Sequence, residues 1–306
     1  MSPTFILCGA LLVVTSISHS LAAAPITQSG LNTQVSPPII LPSGQTEYNI
    51  TGGTRPGGGV NLFHSFGDFN VPTNNIANFL NSGSVDSAGH PLGAGLPTSN
   101  ILGRIDGGNP SSIFGMIQTN GPGGFPTANL FLMNPYGFLF GPHATVNVGG
   151  MVSFTTADYL RFQGTQTLFN KVSTPESLSL LSTVPVAAFG FLGNNPAAIA
   201  IQGSTLQVAQ GQSLSLVGGN KGFNYTDPDT GNLAPVAVPG GVTMTGGKLL
   251  APGGQINVVS VASPGEVLAS ILQLQPNVTG ASFTSLGNVS IEQDALIDTS
   301  VAPGGT

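Results

Sequence analysis

Charge is the property this sequence has least of: Asp, Glu, Lys and Arg together make up 6% of 306 residues, against about 25% in ordinary soluble proteins. The basic residues are Arg55, Arg104, Arg161, Lys171, Lys221 and Lys248, scattered along a chain of net charge −6. No basic patch can track a phosphate backbone, so nucleic-acid binding is excluded. An anionic membrane surface has equally little to attract. Cysteine is almost missing as well. Cys8 stands alone, inside the apolar run Phe5 to Val14. That run has the length of a signal-peptide core and is followed by the small residues Ala22, Ala23 and Ala24. Residues 1–24 are therefore expected to be a secretory signal, although no Lys or Arg precedes the run; the alternative is a buried N-terminal helix or strand. Leu7 is not small, which argues against a lipoprotein. A mature chain without cysteine holds no disulfide, even in a compartment that permits one. No other stretch is long enough to span a membrane.

Helical periodicity is also lacking, apart from one or two helical turns expected over Asn74 to Leu80. Glycine (44) and proline (24) are abundant, but glycine does not recur at every third place, so a collagen reading fails. After a polar, Pro-rich lead (Pro25 to Pro42), short apolar runs alternate with turn clusters. They include Val60 to Phe66, Ala128 to Met133, Ala144 to Val148, Val152 to Thr156, Ser213 to Val217, Val242 to Thr245 and Gln255 to Val261. Gly-Gly, Pro-Gly or Asn-Pro bounds each of them. The fold class is all-β. From Gly203 onward a unit recurs: short alternating strand, Gly-rich corner, short strand. This is the imprint of an imperfect parallel β-helix whose stacked coils align inward Val, Ile and Leu. Stacked like charges would repel at the inter-strand spacing, which accounts for the scarcity of charge. A sandwich or barrel is the rival. Phe223 to Gly240 breaks the rhythm and reads as a loop or hairpin projecting from one coil. The chain ends at a turn, Ser300 to Thr306, without a polar cap, and is expected to be truncated there or to depend on a partner.

A parallel β-helix can host polysaccharide-active enzymes, which need paired carboxylates. Here Asp68, Asp86, Asp106 and Asp158 stand apart in sequence, Asp227 and Asp229 sit in a turn, and Asp294 and Asp298 flank a strand. No enzyme is expected, and no cofactor. His64, His90 and His143 have no neighbouring ligand at a useful spacing, so no metal site is expected and each reads as a turn or surface residue. Gly57-Gly58-Gly59 lacks the Lys and Ser/Thr of a phosphate loop. The tripeptides at Asn224, Asn277 and Asn288 match the N-glycosylation pattern by chance in an Asn/Thr-rich chain.

The sharpest local feature is Asn134-Pro135-Tyr136-Gly137, between Asn129 to Met133 and Phe138 to Pro142. Asn at the first place, Pro at the second and Gly at the fourth suit a type I turn, and the Asn side chain can bond the backbone two residues on. This stretch resembles the Asn-Pro-Asn-Gly-Ile signature of the filamentous-haemagglutinin-type secretion domain. Asn61 to Phe66, Phe69 to Val71, Ile101 to Ile105, Gly107 to Ser111 and Ala144 to Asp158 resemble the same family in the same order. Tyr136 and Phe138 depart from the signature. The family's second motif has only a weak counterpart in Asn109-Pro110.

The resemblance implies a right-handed parallel β-helix with an N-terminal cap. Residues 25–160 would hold the cap and the secretion signature, and 161–306 further coils. It implies the N-terminal secretion domain of an adhesin- or haemagglutinin-like exoprotein of a Gram-negative bacterium, exported through the periplasm and outer membrane to the cell surface. Its partner would be an outer-membrane β-barrel transporter with POTRA domains, bound by strand addition, with host or neighbouring-cell ligands beyond. Asn134, Pro135, Tyr136 and Gly137 would then serve in recognition or only in the turn. The alternative is a secreted structural β-solenoid without a dedicated transporter.

Overall fold

The computed structural model describes residues 24–164, 167–171, 181–229, 236–269, 282–292 and 294–301. Residues 1–23 of the expected signal segment, with Cys8, the Asn277 tripeptide and the final Gly-Gly lie outside them. Among the described residues the chain is all-β, apart from short 3-10 assignments such as Pro56–Gly58.

Three parallel ladders carry the architecture. Sheet one stacks Asn61–Phe69, Asn100–Ile105, Asn129–Met133, Val152–Thr155, Ser213–Gly219 and Gln255–Val261, each parallel to the next. Sheet two stacks Ser111–Ile113, Phe138–Phe140, Ile199–Gln202, Val242–Thr245 and Val289–Glu292. Sheet three stacks Thr46–Gly52, Asn75–Phe79, Met116–Gln118 and Thr145–Asn147. Thr205–Gln207, Lys248–Leu250 and Leu296–Asp298 lie beyond its last strand. From Asn100 the chain visits sheets one, two and three in that order and then begins again.

Registers align the inward residues into columns. Leu62, Ile101, Leu130, Val152, Leu214 and Ile256 are successive partners in sheet one, and all but Ile256 are buried. Each such side chain removed from water contributes roughly 1.5–3 kcal/mol. At the N-terminal end the backbone edges are closed by antiparallel strands. Ile26–Gly30 lies on Asn61–Phe69, and Thr33–Val35 on Thr46–Gly52. The Pro-rich lead thus supplies the blocking strands that an exposed sheet edge requires.

Polar columns fix the register as firmly as the apolar ones. Asn129 Nδ2 donates to Asn100 Oδ1 and Asn100 Nδ2 to Asn61 Oδ1, both at 2.8 Å. A second amide ladder runs through Asn49, Asn78, Gln118 and Asn147, with bonds of 2.9–3.1 Å. A slip of one residue would carry every one of these amides to the opposite face.

Two elements depart from the expectations. Asn74 to Leu80 is not helical: Asn75–Phe79 is a strand paired on both sides, by Thr46–Gly52 and Met116–Gln118. Two ladders of backbone bonds and burial of Ile76, Ala77 and Phe79 override a weak local preference. The hairpin of Phe223–Tyr225 and Val236–Val238 is present, but it packs down on sheet two instead of projecting. Its Val238, with Phe223 and Tyr225 alongside, covers Phe114, Leu139 and Ala200.

A further antiparallel sheet, Tyr159–Phe162, Leu168–Asn170, Val186–Phe191 and Gly265–Leu268, was not anticipated. It covers the outer face of sheet one, where Leu160, Phe162, Phe169, Phe189 and Phe191 meet Phe63, Leu102, Phe131 and Met133. Sheet one is therefore buried on both faces, which is why Leu130 to Met133 is an unbroken apolar run.

Candidate functional site

The Asn134 turn lies where sheet one passes to sheet two. Its backbone closes through a Gly137 N–H donated to Asn134 O at 3.1 Å. The Asn134 side chain accepts from Tyr136 N at 3.0 Å, the bond expected of an Asn in first position. Its amide nitrogen, which local sequence logic left unassigned, donates to Asn109 O at 3.0 Å and Ser111 Oγ at 2.9 Å. Asn134 N in turn donates to Thr155 O at 2.9 Å. One fully buried residue thus ties its own turn to the circuits before and after it.

The two Asn-Pro motifs meet here. Asn109-Pro110 stands one circuit earlier, with the Asn109 carbonyl facing the Asn134 amide and its side chain bonded to Asp68 Oδ1 at 2.9 Å. Asn195-Pro196, missed in the sequence, occupies the matching place one circuit later: Ile199 pairs with Phe138, four residues beyond each Asn. Its signal was available, because the spacing from Asn-Pro to the strand is the same.

Gly137 adopts φ +121°, which only glycine takes readily. A Cβ there would stand 2.4 Å from Phe223 Cε1, so the hairpin ring sits directly on the turn. Within Asn134 to Gly137, Tyr136 is the most exposed residue, at 40%. Beside it, Pro135, Tyr136, Asp158, Lys171, Leu192 and Pro196 are among the residues that frame a cavity of about 320 Å³. Lys171 Nζ bonds Asp158 Oδ1 at 2.5 Å, and Leu192 N donates to Asp158 Oδ2 at 2.7 Å.

Several of the acids have structural partners of their own, although the register brings Asp68 and Asp106 to neighbouring strands. Asp86 bonds His90, Asp106 accepts from Ser29 and Ser65, and Glu266 grips Arg161 through two oxygens. That pair, with the Tyr159 hydroxyl donating to Glu266, staples the outer sheet. Asp229 accepts from Thr73 N at 2.6 Å and so anchors the hairpin. Among the described residues no group of three or more His, Cys, Asp or Glu stands close enough to hold a metal. Nor is any helix long and apolar enough to cross a membrane.

His64 corrects an expectation. His90 and His143 lie at the surface, but His64 is buried in sheet one with its ring facing Thr33 Oγ1 at 3.3 Å. Burial, and then the Arg55 cation, push its pKa down to about 3. Arg55 itself is buried without a carboxylate. Its guanidinium donates to Ser84 Oγ, Gly59 O, Pro97 O, Asn81 Oδ1 and Thr98 Oγ1. Five donors meet five neutral acceptors, which is the full capacity of an arginine. Scattered basic residues gave no hint of this, since the acceptors are mostly loop backbone and hydroxyls.

Comparison with known proteins gives one finding of kinship: the family model described as TPS secretion domain matches residues 23–306. No curated protein matches the chain.

Proposed function

Since the chain belongs to the TPS secretion domain family, that of exoproteins released by two-partner secretion, we propose that it is the N-terminal secretion domain of an adhesin- or haemagglutinin-like exoprotein. An outer-membrane β-barrel transporter with POTRA domains would engage it in the periplasm, and folding outside the cell would draw the following chain through. The stacked circuits are read as coils of a right-handed β-helix with an N-terminal cap. The domain is read as non-catalytic: Asp86, Asp106, Asp158, Asp229 and Glu266 are each engaged by a structural partner.

The observation that carries the mechanism is the burial of Asn134. Its side chain makes three internal bonds and exposes no surface. A folded domain cannot present that side chain to a receptor, so a transporter that reads it must meet the chain before it folds. In that state the Asn129 to Met133 segment is an extended apolar strand able to add to a sheet edge, a mode that relies on backbone bonds. Once outside, the Asn134 bonds to Asn109, Ser111 and Thr155 join three consecutive circuits. The turn is then a natural nucleus for stacking.

The test is binding of residues 25–306 to the periplasmic POTRA region of a candidate cognate transporter. The chain would be offered freshly diluted from urea, or after refolding. Capture of the unfolded chain and not of the refolded one is expected. Equal capture of the refolded chain would overturn the order of events, and no capture of either would overturn the partner.

A further inference from the structure

The turn uses the Tyr136 backbone but not its side chain. The ring stands 40% exposed, its hydroxyl makes no hydrogen bond among the described residues, and it forms one wall of the cavity beside the turn. Pro135 and Pro196, from the stacked Asn-Pro turns, and Leu192 extend the apolar surface. Asp158 and Lys171 supply the polar side. At about 320 Å³ the space lies at the small end of the range for ligand sites, roughly 300–1,000 Å³.

We propose that this cavity binds the terminal pyranoside of a neutral glycan. The two charges in it cancel. An anion drawn to Lys171 meets the Asp158 carboxylate beside it, and a cation drawn to Asp158 meets the Lys171 ammonium. A neutral hydroxylated ligand meets neither repulsion: its hydroxyls donate to free lone pairs of Asp158 and accept from the remaining Lys171 N–H groups. A pyranose also carries an apolar C–H face, which suits the Tyr136 ring, an amphipathic wall with a polar tip.

The polar groups are held before any ligand arrives. Asp158 N donates to Gly190 O and Lys171 N to Asp158 O, both at 2.8 Å, while Leu192 N fixes the second carboxylate oxygen. Such pre-organisation lowers the entropy lost on binding. The rim reaches the surface at Leu192, 65% exposed, so the rest of a glycan can extend outward. The departure of Tyr136 from the family signature then has a use: it is the ring that makes the wall.

The inference is independent of export and is tested on the exported chain by saturation-transfer NMR. Methyl glycosides of glucose, galactose and mannose are offered separately. At least one is expected to receive transfer at its ring C–H protons, with millimolar affinity. Tyr136→Asn removes the ring, keeps the backbone donor of the turn, and should weaken binding at least tenfold. Leu192→Ala trims an exposed wall without touching the core and should weaken it less. No transfer with any of the three glycosides, or the same transfer in Tyr136→Asn, would overturn the proposal.

Discussion

Asn134→Asp is the substitution that local turn logic regards as mildest, and the folded structure makes it severe. Aspartate keeps the acceptor for Tyr136 N and can take a bond from the Ser111 hydroxyl at 2.9 Å, but it loses the donor that reaches Asn109 O at 3.0 Å. That lost bond costs about 1 kcal/mol. A carboxylate facing a carbonyl oxygen in a site without solvent adds the penalty of an uncompensated buried charge. Together these come to roughly 3–5 kcal/mol at neutral pH. The variant can escape by taking up a proton, which restores a donor, so its folded pKa lies above the ordinary carboxylate value of about 3.9. The folded state then binds more protons than the unfolded one between those two pKa values. The stability of the variant therefore falls as pH rises through that window and levels off above it. Urea unfolding followed by far-UV circular dichroism at pH 4 and pH 7 measures both effects. A variant within about 0.5 kcal/mol of the parent at pH 7, the scatter of ordinary surface changes, would refute the argument. So would a loss that is the same at both pH values.

Other positions give equally definite expectations. His64 is held neutral in the fold with a pKa of about 3 against 6.5 unfolded. The parent is expected to lose roughly 4 kcal/mol of stability between pH 7 and pH 3 from this residue. That slope should flatten in His64→Gln when unfolding is measured across the same range. Arg55→Lys replaces a five-donor fork by three donors; it should destabilise by at least 2 kcal/mol and speed proteolysis within residues 81–99, which Arg55 pins through Asn81, Pro97 and Thr98. Gly137→Ala meets both a φ of +121° and the Phe223 ring. Its cost, roughly 2–4 kcal/mol, should be relieved only in part by Phe223→Ala, because the backbone strain stays.

Strand positions were legible where turn residues bracket them. Val152–Thr155, Val242–Thr245 and Gln255–Val261 lie where Gly-rich corners placed them. The helical expectation over Asn74 to Leu80 failed, because its strand character comes from two neighbours distant in sequence. The outer sheet stayed hidden for a related reason. Tyr159–Phe162 and Val186–Phe191 interrupt the circuits and pair antiparallel, so no repeat announces them. At the turn, the Asn134-to-Tyr136 bond followed from local chemistry. The bonds to Asn109 and Ser111 needed the stacking distance between circuits, which a single sequence does not contain. The surface expectation for His64 failed because residue type suggested it, while burial in sheet one beside Thr33 decides its place; Arg55 is buried because five neutral acceptors surround it.

Release of the chain into the medium, measured in a Gram-negative host with and without the transporter gene, is the most direct test of two-partner export. Release that requires the transporter, with protein held in the periplasm in its absence, is the predicted result. Equal release without that gene, or retention in the periplasm with it, would contradict the assignment and leave a secreted β-protein of unassigned route.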